Sequence, residues 1–152
     1  MIRKKIIPRL SEEAPPCLDL VSVATFEVTS EAEAHPLELA LRINDERWEA
    51  AEPGPQTIRL LFDTPQTITR ICLLFEEHAT ARTQEFSLRW QSASDRNWRE
   101  LRRQQFNFSP PHTVIEREDF AVALPAVSGL TLTIIPALHG PGTASLTQFW
   151  VA

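Results

Sequence analysis

QTIRLLFDTPQTITRICLLFE, residues 56–76, decides how the rest of the chain is read. Ile58, Leu60 and Phe62 stand on alternate positions in its first part, and Ile71, Leu73 and Phe75 do so in its second. A period of two sends successive side chains to opposite faces, which is the geometry of a strand and not of a helix. Thr64 to Gln66 separate the two parts and include Pro65, which has no N–H to give to a sheet ladder. The stretch therefore reads as two strands, 56–63 and 67–76, with a turn between them.

The same alternation recurs in 84–92 (QEFSLRWQS), 98–108 (WRELRRQQFNF), 114–124 (VIEREDFAVAL), 129–135 (GLTLTII) and 144–151 (ASLTQFWV). An earlier run, LDLVSVATFEV at 18–28, completes eight strands. All twelve prolines fall outside these runs, which keeps the ladder donors intact. Short strands divided by turn residues predict an all-β chain folded as an antiparallel sandwich or barrel. In HPLELALRINDERW, 35–48, Leu37, Leu39, Leu41 and Ile43 alternate as in a strand while Leu and Ala favour helix, so irregular backbone with one helical turn is expected.

A chain of 152 residues, 43% hydrophobic, is long enough for one core. We read residues 17–152 as a single domain and residues 1–16 as an N-terminal arm that orders only by packing on something. The opening MIRKKIIPRL is basic but lacks an apolar stretch of signal length, and nowhere do 18 apolar residues run together. The expectation is a soluble, cytoplasmic chain with no membrane partner. Cys17 and Cys72 are too few for a disulfide framework and are read as reduced thiols.

The net charge of −5 is unevenly spread. Ser11 to Pro55 carry eleven acids against Arg42 and Arg47, whereas Gln56 to His112 carry eight arginines against six acids. An acidic whole disfavours nucleic acid as a partner, because non-specific binding relies on a basic surface to release phosphate counterions. No GxSxG, HExxH, phosphate-binding glycine loop or paired CxxC occurs, so no enzyme is expected. Glu76 with Glu77, and Glu116 with Glu118, would suit acid–base work only if one member were buried with a raised pKa; solvated strand ends are the expectation.

Antiparallel order sorts the connections, since a chain that reverses at each strand places every second loop at the same end. Residues 64–66, 93–97 and 125–128 fall at one end. Residues 77–83, 109–113 and 136–143 fall at the other, joined by 48–55. The second end collects Trp48, His78, Arg82, His112 and His139, with Asn107 at a strand tip. Along 98–108, Arg103, Gln105 and Asn107 share one face, and Phe106 and Phe108 share the other with Trp98. Pro110-Pro111 and HGPG (139–142) stiffen the neighbouring loops, which lowers the ordering cost of capturing a ligand.

The landmarks Ala40 with NDERW (44–48), PQTIRLLFD (55–63), ITRICLLF (68–75), QEFSLRWQS followed by NW (84–98), LTLTII (130–135) and GTASLTQFWV (142–151) occur in an order that resembles the discoidin, or coagulation factor five/eight C-type, domain. The resemblance runs from about Leu18 to Ala152 and implies a galactose-binding-like jelly-roll sandwich. It further implies binding through loops at one end, with sugars, lipid head groups or proteins as ligands. A structural calcium in the family's tryptophan-containing loop would fall to Asn44 and Asp45. The family's glutamate near the last strand is matched by Gln148, a neutral amide and a poorer ligand for a hard cation. No other cofactor is implied.

The first functional expectation is a non-catalytic, carbohydrate-binding-like module that holds a glycan through Arg82, Arg103, Gln105, Asn107, His78 and His139, with Trp48 as stacking platform. Guanidinium and amide groups match the paired hydroxyls of sugars. The alternative for Trp48 is a wedge in the sandwich end, and for the polar cluster it is a set of side chains that are solvated or salt-bridged with Glu85 or Glu116. Three histidines on three separate loops lack the close spacing of a zinc site. The second expectation is an intracellular protein-interaction domain that recruits a partner, and binding at a nucleic-acid strand break is a third. The oligomeric state is left open.

Overall fold

The computed structural model describes residues 2–4, 17–42 and 45–152. The expected arm, apart from residues 2–4, and the candidate calcium ligand Asn44 lie outside the described residues.

Leu20–Val23 form a single helical turn where a strand was expected. The carbonyl of Asp19 accepts from the N–H groups of Ser22 and Val23 at 3.0 and 3.1 Å, and the Asp19 carboxylate accepts from the Ser22 hydroxyl at 2.7 Å. A local acceptor of this kind competes with a ladder and turns the chain. The strand proper is β1, Ala24–Val28. A 3₁₀ turn at Leu37–Leu41 supplies the helical element expected within 35–48 and buries Leu37 and Ala40. There follow β2 (Trp48–Glu49), β3 (Gln56–Glu76), β4 (Arg82–Ser92), β5 (Trp98–Phe108), β6 (Ile115–Ile135), β7 (Ser145–Leu146) and β8 (Gln148–Val151).

All pairings among these strands are antiparallel. Two expected turns are bends inside continuous strands. In β3 and β6 the register passes from Leu61 opposite Gly129 to Gln66 opposite Val127 and Ile68 opposite Leu124. Pro65 and Pro125 lie in the unpaired stretch, where their missing N–H groups cost no ladder bond. The bend divides the strands between two layers. One layer runs β1, first half of β3, second half of β6, β4, β5; the other runs first half of β6, second half of β3, β8. Ile58, Leu60, Ile71, Leu73 and Phe75 fill the space between them, and the rings of Phe75 and Phe86 stack across it with centroids 5.6 Å apart.

A bulge in β5 decides what faces outward. Leu88 lies opposite Arg102, yet Arg89 lies opposite Glu100, so Leu101 is the extra residue. One inserted residue exchanges the two faces of everything beyond it. Phe108 and Phe106 pack inward, while Arg103, Gln105 and Asn107 face outward. Trp98, on the far side of the bulge, is outward as well, which corrects the expectation that it shares a face with the two phenylalanines. Its ring covers Gly129, where an added Cβ would lie 2.7 Å from Trp98 Cη2, and the Arg59 guanidinium sits 5.8 Å from its centroid.

The loop sorting holds. Gln56, Glu76, Arg82, Phe108, Ile115 and Ile135 all stand at one end by register. Three backbone bonds tie the loops there: Glu77 N–H to Val114 O at 2.9 Å, Leu138 N–H to Thr83 O at 2.9 Å, and Gly54 N–H to Gly142 O at 3.0 Å. At the opposite end Ala93 N–H donates to Ala126 O across the bend at 2.8 Å.

Candidate functional site

A cleft of about 590 Å³ opens at the loop end, walled by residues 76–80 on one side and 141–145 on the other. Its charged groups are Arg47, Glu49, Glu76, Glu77, His78 and Arg82. Two of them are set by one short strand. In extended backbone Arg47 and Glu49 flank Trp48 and point away from it, and Arg47 donates to Glu49 Oε1 from Nε at 2.8 Å. Trp48 is 0% exposed, wedged in the core, with its indole N–H on Ser30 O at 3.1 Å. The expected platform is therefore absent: the indole has no free face, because its apolar area gains more from the core than from a rim. Its burial is what turns Arg47 and Glu49 toward the cleft.

The other wall is built by the ends of β3 and β4. Glu76 Oε2 accepts from the Thr147 hydroxyl at 3.0 Å, and its Oε1 lies 3.7 Å from Nε2 of the exposed His78. Glu77 accepts from Arg82 Nε at 2.7 Å and from the Ala79 N–H at 3.1 Å. Burial pushes the Glu77 carboxyl up, but these hydrogen bonds outweigh it and hold the group below the usual carboxylate range. The Arg82 side chain is only 4% exposed. Its Nη1 donates to Gln84 Oε1 at 3.0 Å and to Pro136 O at 2.6 Å, and its guanidinium lies over the Phe108 ring at 4.8 Å.

The structure brings His78 and Arg82 together in this cleft and places the other expected residues elsewhere. Arg103, Gln105 and Asn107 occupy the outer face of β5, where Arg103 and Gln105 bond Glu85 and Asn107 accepts from the Thr83 hydroxyl. Arg82 points to the opposite face of the same layer, so the four-residue polar cluster does not form. His139 is exposed on the 136–144 loop, outside the cleft's lining. Arg47, Glu49, Glu76 and Glu77 were missed as ligand groups. The sequence signal for Glu49 and Glu77 is membership of the sorted loops, and Arg47 and Glu76 each directly precede one of those loops.

Of the two expected calcium ligands only Asp45 is among the described residues. Asp45 is exposed, and Gln148 lines a separate pocket of about 120 Å³ on the sheet flank with Cys72 and Trp150. Among the described residues no group of three or more His, Cys, Asp or Glu stands close enough to hold a metal ion. Cys17 and Cys72 are free thiols. No described helix is long and apolar enough to cross a membrane.

One expected solvated group is not solvated. Glu116 on β6 is 1% exposed. Its Oε1 accepts from Gln84 Nε2 at 3.1 Å, and its Oε2 has no hydrogen-bond partner among the described residues. Burial first, and then the neighbouring Glu118 carboxyl, push Glu116 up to about 8. Both causes favour the protonated, neutral carboxyl over the carboxylate.

No protein-family model matches this sequence, and no curated protein matches it. Solved structures do. The family 32 carbohydrate-binding module of Clostridium perfringens NanJ, solved with galactose, is 13% identical with a TM-score of 0.64, covering 89% of this chain and 96% of that one. A family 32 module of the C. perfringens GH89 protein, solved with GalNAc-β-1,3-galactose, is 17% identical with a TM-score of 0.63 over 90% and 99%. Chitosan-binding module 1 from a chitosanase/glucanase of Paenibacillus sp. IK-5 is 21% identical with a TM-score of 0.55 over 89% and 98%. At such identities the likeness is one of fold, and this chain has the galactose-binding-like β-sandwich of the family 32 carbohydrate-binding modules.

Proposed function

We propose that the chain is a non-catalytic carbohydrate-binding module that holds a glycan in the loop-end cleft. The observation that carries this is the cleft's composition: three carboxylates, two guanidinium groups and one imidazole around about 590 Å³, most of them already fixed by each other. Every sugar hydroxyl both donates and accepts, so a wall of fixed acceptors beside fixed donors suits it, and charged partners strengthen each bond. Prior ion pairing limits the rotamer freedom lost on capture. Glu77 is held ionised by Arg82, which favours an acceptor's role over that of a proton donor. Solved structures of the same fold contain galactose and GalNAc-β-1,3-galactose.

Calorimetry with galactose, N-acetylgalactosamine and chitosan oligosaccharides, followed by a glycan array, tests the reading. Saturable binding is expected, weakened about tenfold in Arg47→Ala or Glu76→Ala, which corresponds to about one charge-assisted hydrogen bond. Absence of saturable binding to every glycan overturns it.

A further inference from the structure

We propose that Glu116 is a positioning residue for the cleft: buried inside the sandwich, it fixes Gln84, Gln84 fixes Arg82, and Arg82 fixes the Glu77 wall. The functional consequence rests on the glycan reading of the cleft, whereas the positioning itself does not.

The chain of contacts is continuous and directional. Glu116 Oε1 receives one amide N–H of Gln84, which orients that amide. The carbonyl oxygen of the same amide then receives Arg82 Nη1 at 3.0 Å, and Arg82 Nε reaches Glu77 at 2.7 Å. Glu77 in turn holds the Ala79 N–H, so the last link is the backbone of the loop that walls the cleft. Gln84 is 0% exposed and the Arg82 side chain 4%, so water does not compete for either. A flipped Gln84 amide would set its NH₂ against Arg82 and its carbonyl oxygen against Glu116 Oε1, so the donor on one side and the acceptor on the other together select the observed orientation.

The groups facing Glu116 explain why its charge state matters. Glu118 stands two residues along the same face of β6; Gln84 and Arg82 face it from β4, with Glu77 behind Arg82; Phe75 lies opposite on β3. When the proton leaves Oε2 for solvent, a carboxylate is left beside Glu118 in apolar surroundings. Among the described residues Arg82 is the cation that acts on it, and it is then drawn between Glu116 and Glu77. Glu77 loses part of its partner and the 77–80 wall loosens.

The test uses the labelled 152-residue chain without sugar. The Glu116 carboxyl carbon, the Arg82 Nε–Hε pair and the Ala79 amide are followed by NMR from pH 5 to 10. Expected is a Glu116 midpoint near 8, with Arg82 and Ala79 moving at the same midpoint. Glu116→Gln keeps a neutral group of similar shape and should hold both signals at their low-pH positions throughout. Arg82 and Ala79 signals that ignore the Glu116 titration, or that still move at the same midpoint in Glu116→Gln, overturn the proposal. If that variant does not fold, Glu118→Gln removes the like charge: the Glu116 midpoint should fall with the Arg82 response following it, and an Arg82 midpoint left behind overturns the proposal equally. Galactose affinity then reports the consequence. It is expected to drop several-fold from pH 6 to pH 9 in the natural chain and to stay flat in Glu116→Gln. Loss of pH dependence in the NMR signals of Glu116→Gln, without saturable binding to any glycan of the array, supports the positioning and sinks only the glycan reading.

Discussion

Arg82 and Arg103 stand on neighbouring strands of one layer and differ in almost everything that gives a charge its worth. The Arg82 side chain is 4% exposed, the Arg103 side chain 53%. Arg82 serves Glu77, Gln84 and the carbonyl of Pro136 while its plane covers Phe108. Arg103 pairs with Glu100 at 2.9 Å and Glu85 at 3.2 Å in the face of solvent. Hydrogen bonds of similar length thus do different things: at the loop end they fix a wall, and on the β5 flank they are screened and replaceable by water. Counting arginines near a rim is a poor guide to a site unless the face each one takes is known.

The sharpest way to break this comparison is truncation. Arg82→Ala should cost about 3 kcal/mol in urea unfolding, because it strands the partly buried Glu77 and uncovers Phe108. A loss below about 1 kcal/mol would show that Arg82 is no more than a surface group. A pH series at fixed urea comes next. Glu116 has a folded pKa above its unfolded value, so the folded state binds the extra proton between about pH 4.5 and 8, and stability falls as pH rises through that window. One proton corresponds to about 1.4 kcal/mol per pH unit, so about 2 kcal/mol should be lost from pH 6 to 7.5 and retained in Glu116→Gln. Glu77 runs the other way: its pKa is lowered, so its contribution is lost only on acidification below the usual carboxylate range.

The third prediction sharpens the picture of the outer face. Gly129→Ala should cost about 1.5 kcal/mol in a thermal or urea melt, since the new Cβ would meet Trp98 Cη2 at 2.7 Å and Leu60 O at 3.1 Å. That face is therefore packed around Trp98 and solvated around Arg103. The smallest effect is expected for Arg103→Ala: no measurable shift of the urea midpoint and unchanged glycan affinity. A tenfold loss of binding in Arg103→Ala would move the site from the cleft to the flank.

Much of the fold was legible because alternation is local. Ile58, Leu60 and Phe62, or Ile71, Leu73 and Phe75, declare a strand without help from elsewhere. The sorting of loops followed from reversal alone, which is why the cleft lies where His78 and Arg82 were expected. The faces were less legible. Leu101 carries no mark that it will be the bulged residue, yet it puts Trp98 outward with Arg103. The bend at Pro65 was readable as a break but not as a passage of one strand between layers. Trp48 was readable as wedge or platform, and only its neighbours in the core chose between them.

The sequence by itself determined the strands, their antiparallel succession and which loops meet, since period, proline placement and chain reversal depend on neighbours along the chain. The tertiary structure alone decided which side each group faces and how much water it keeps. That is why Arg82 is enclosed, Arg103 is wet and Glu116 is pushed toward its protonated form: desolvation and Coulomb energy depend on what other strands bring within a few ångströms, and no residue carries that information in its own letter.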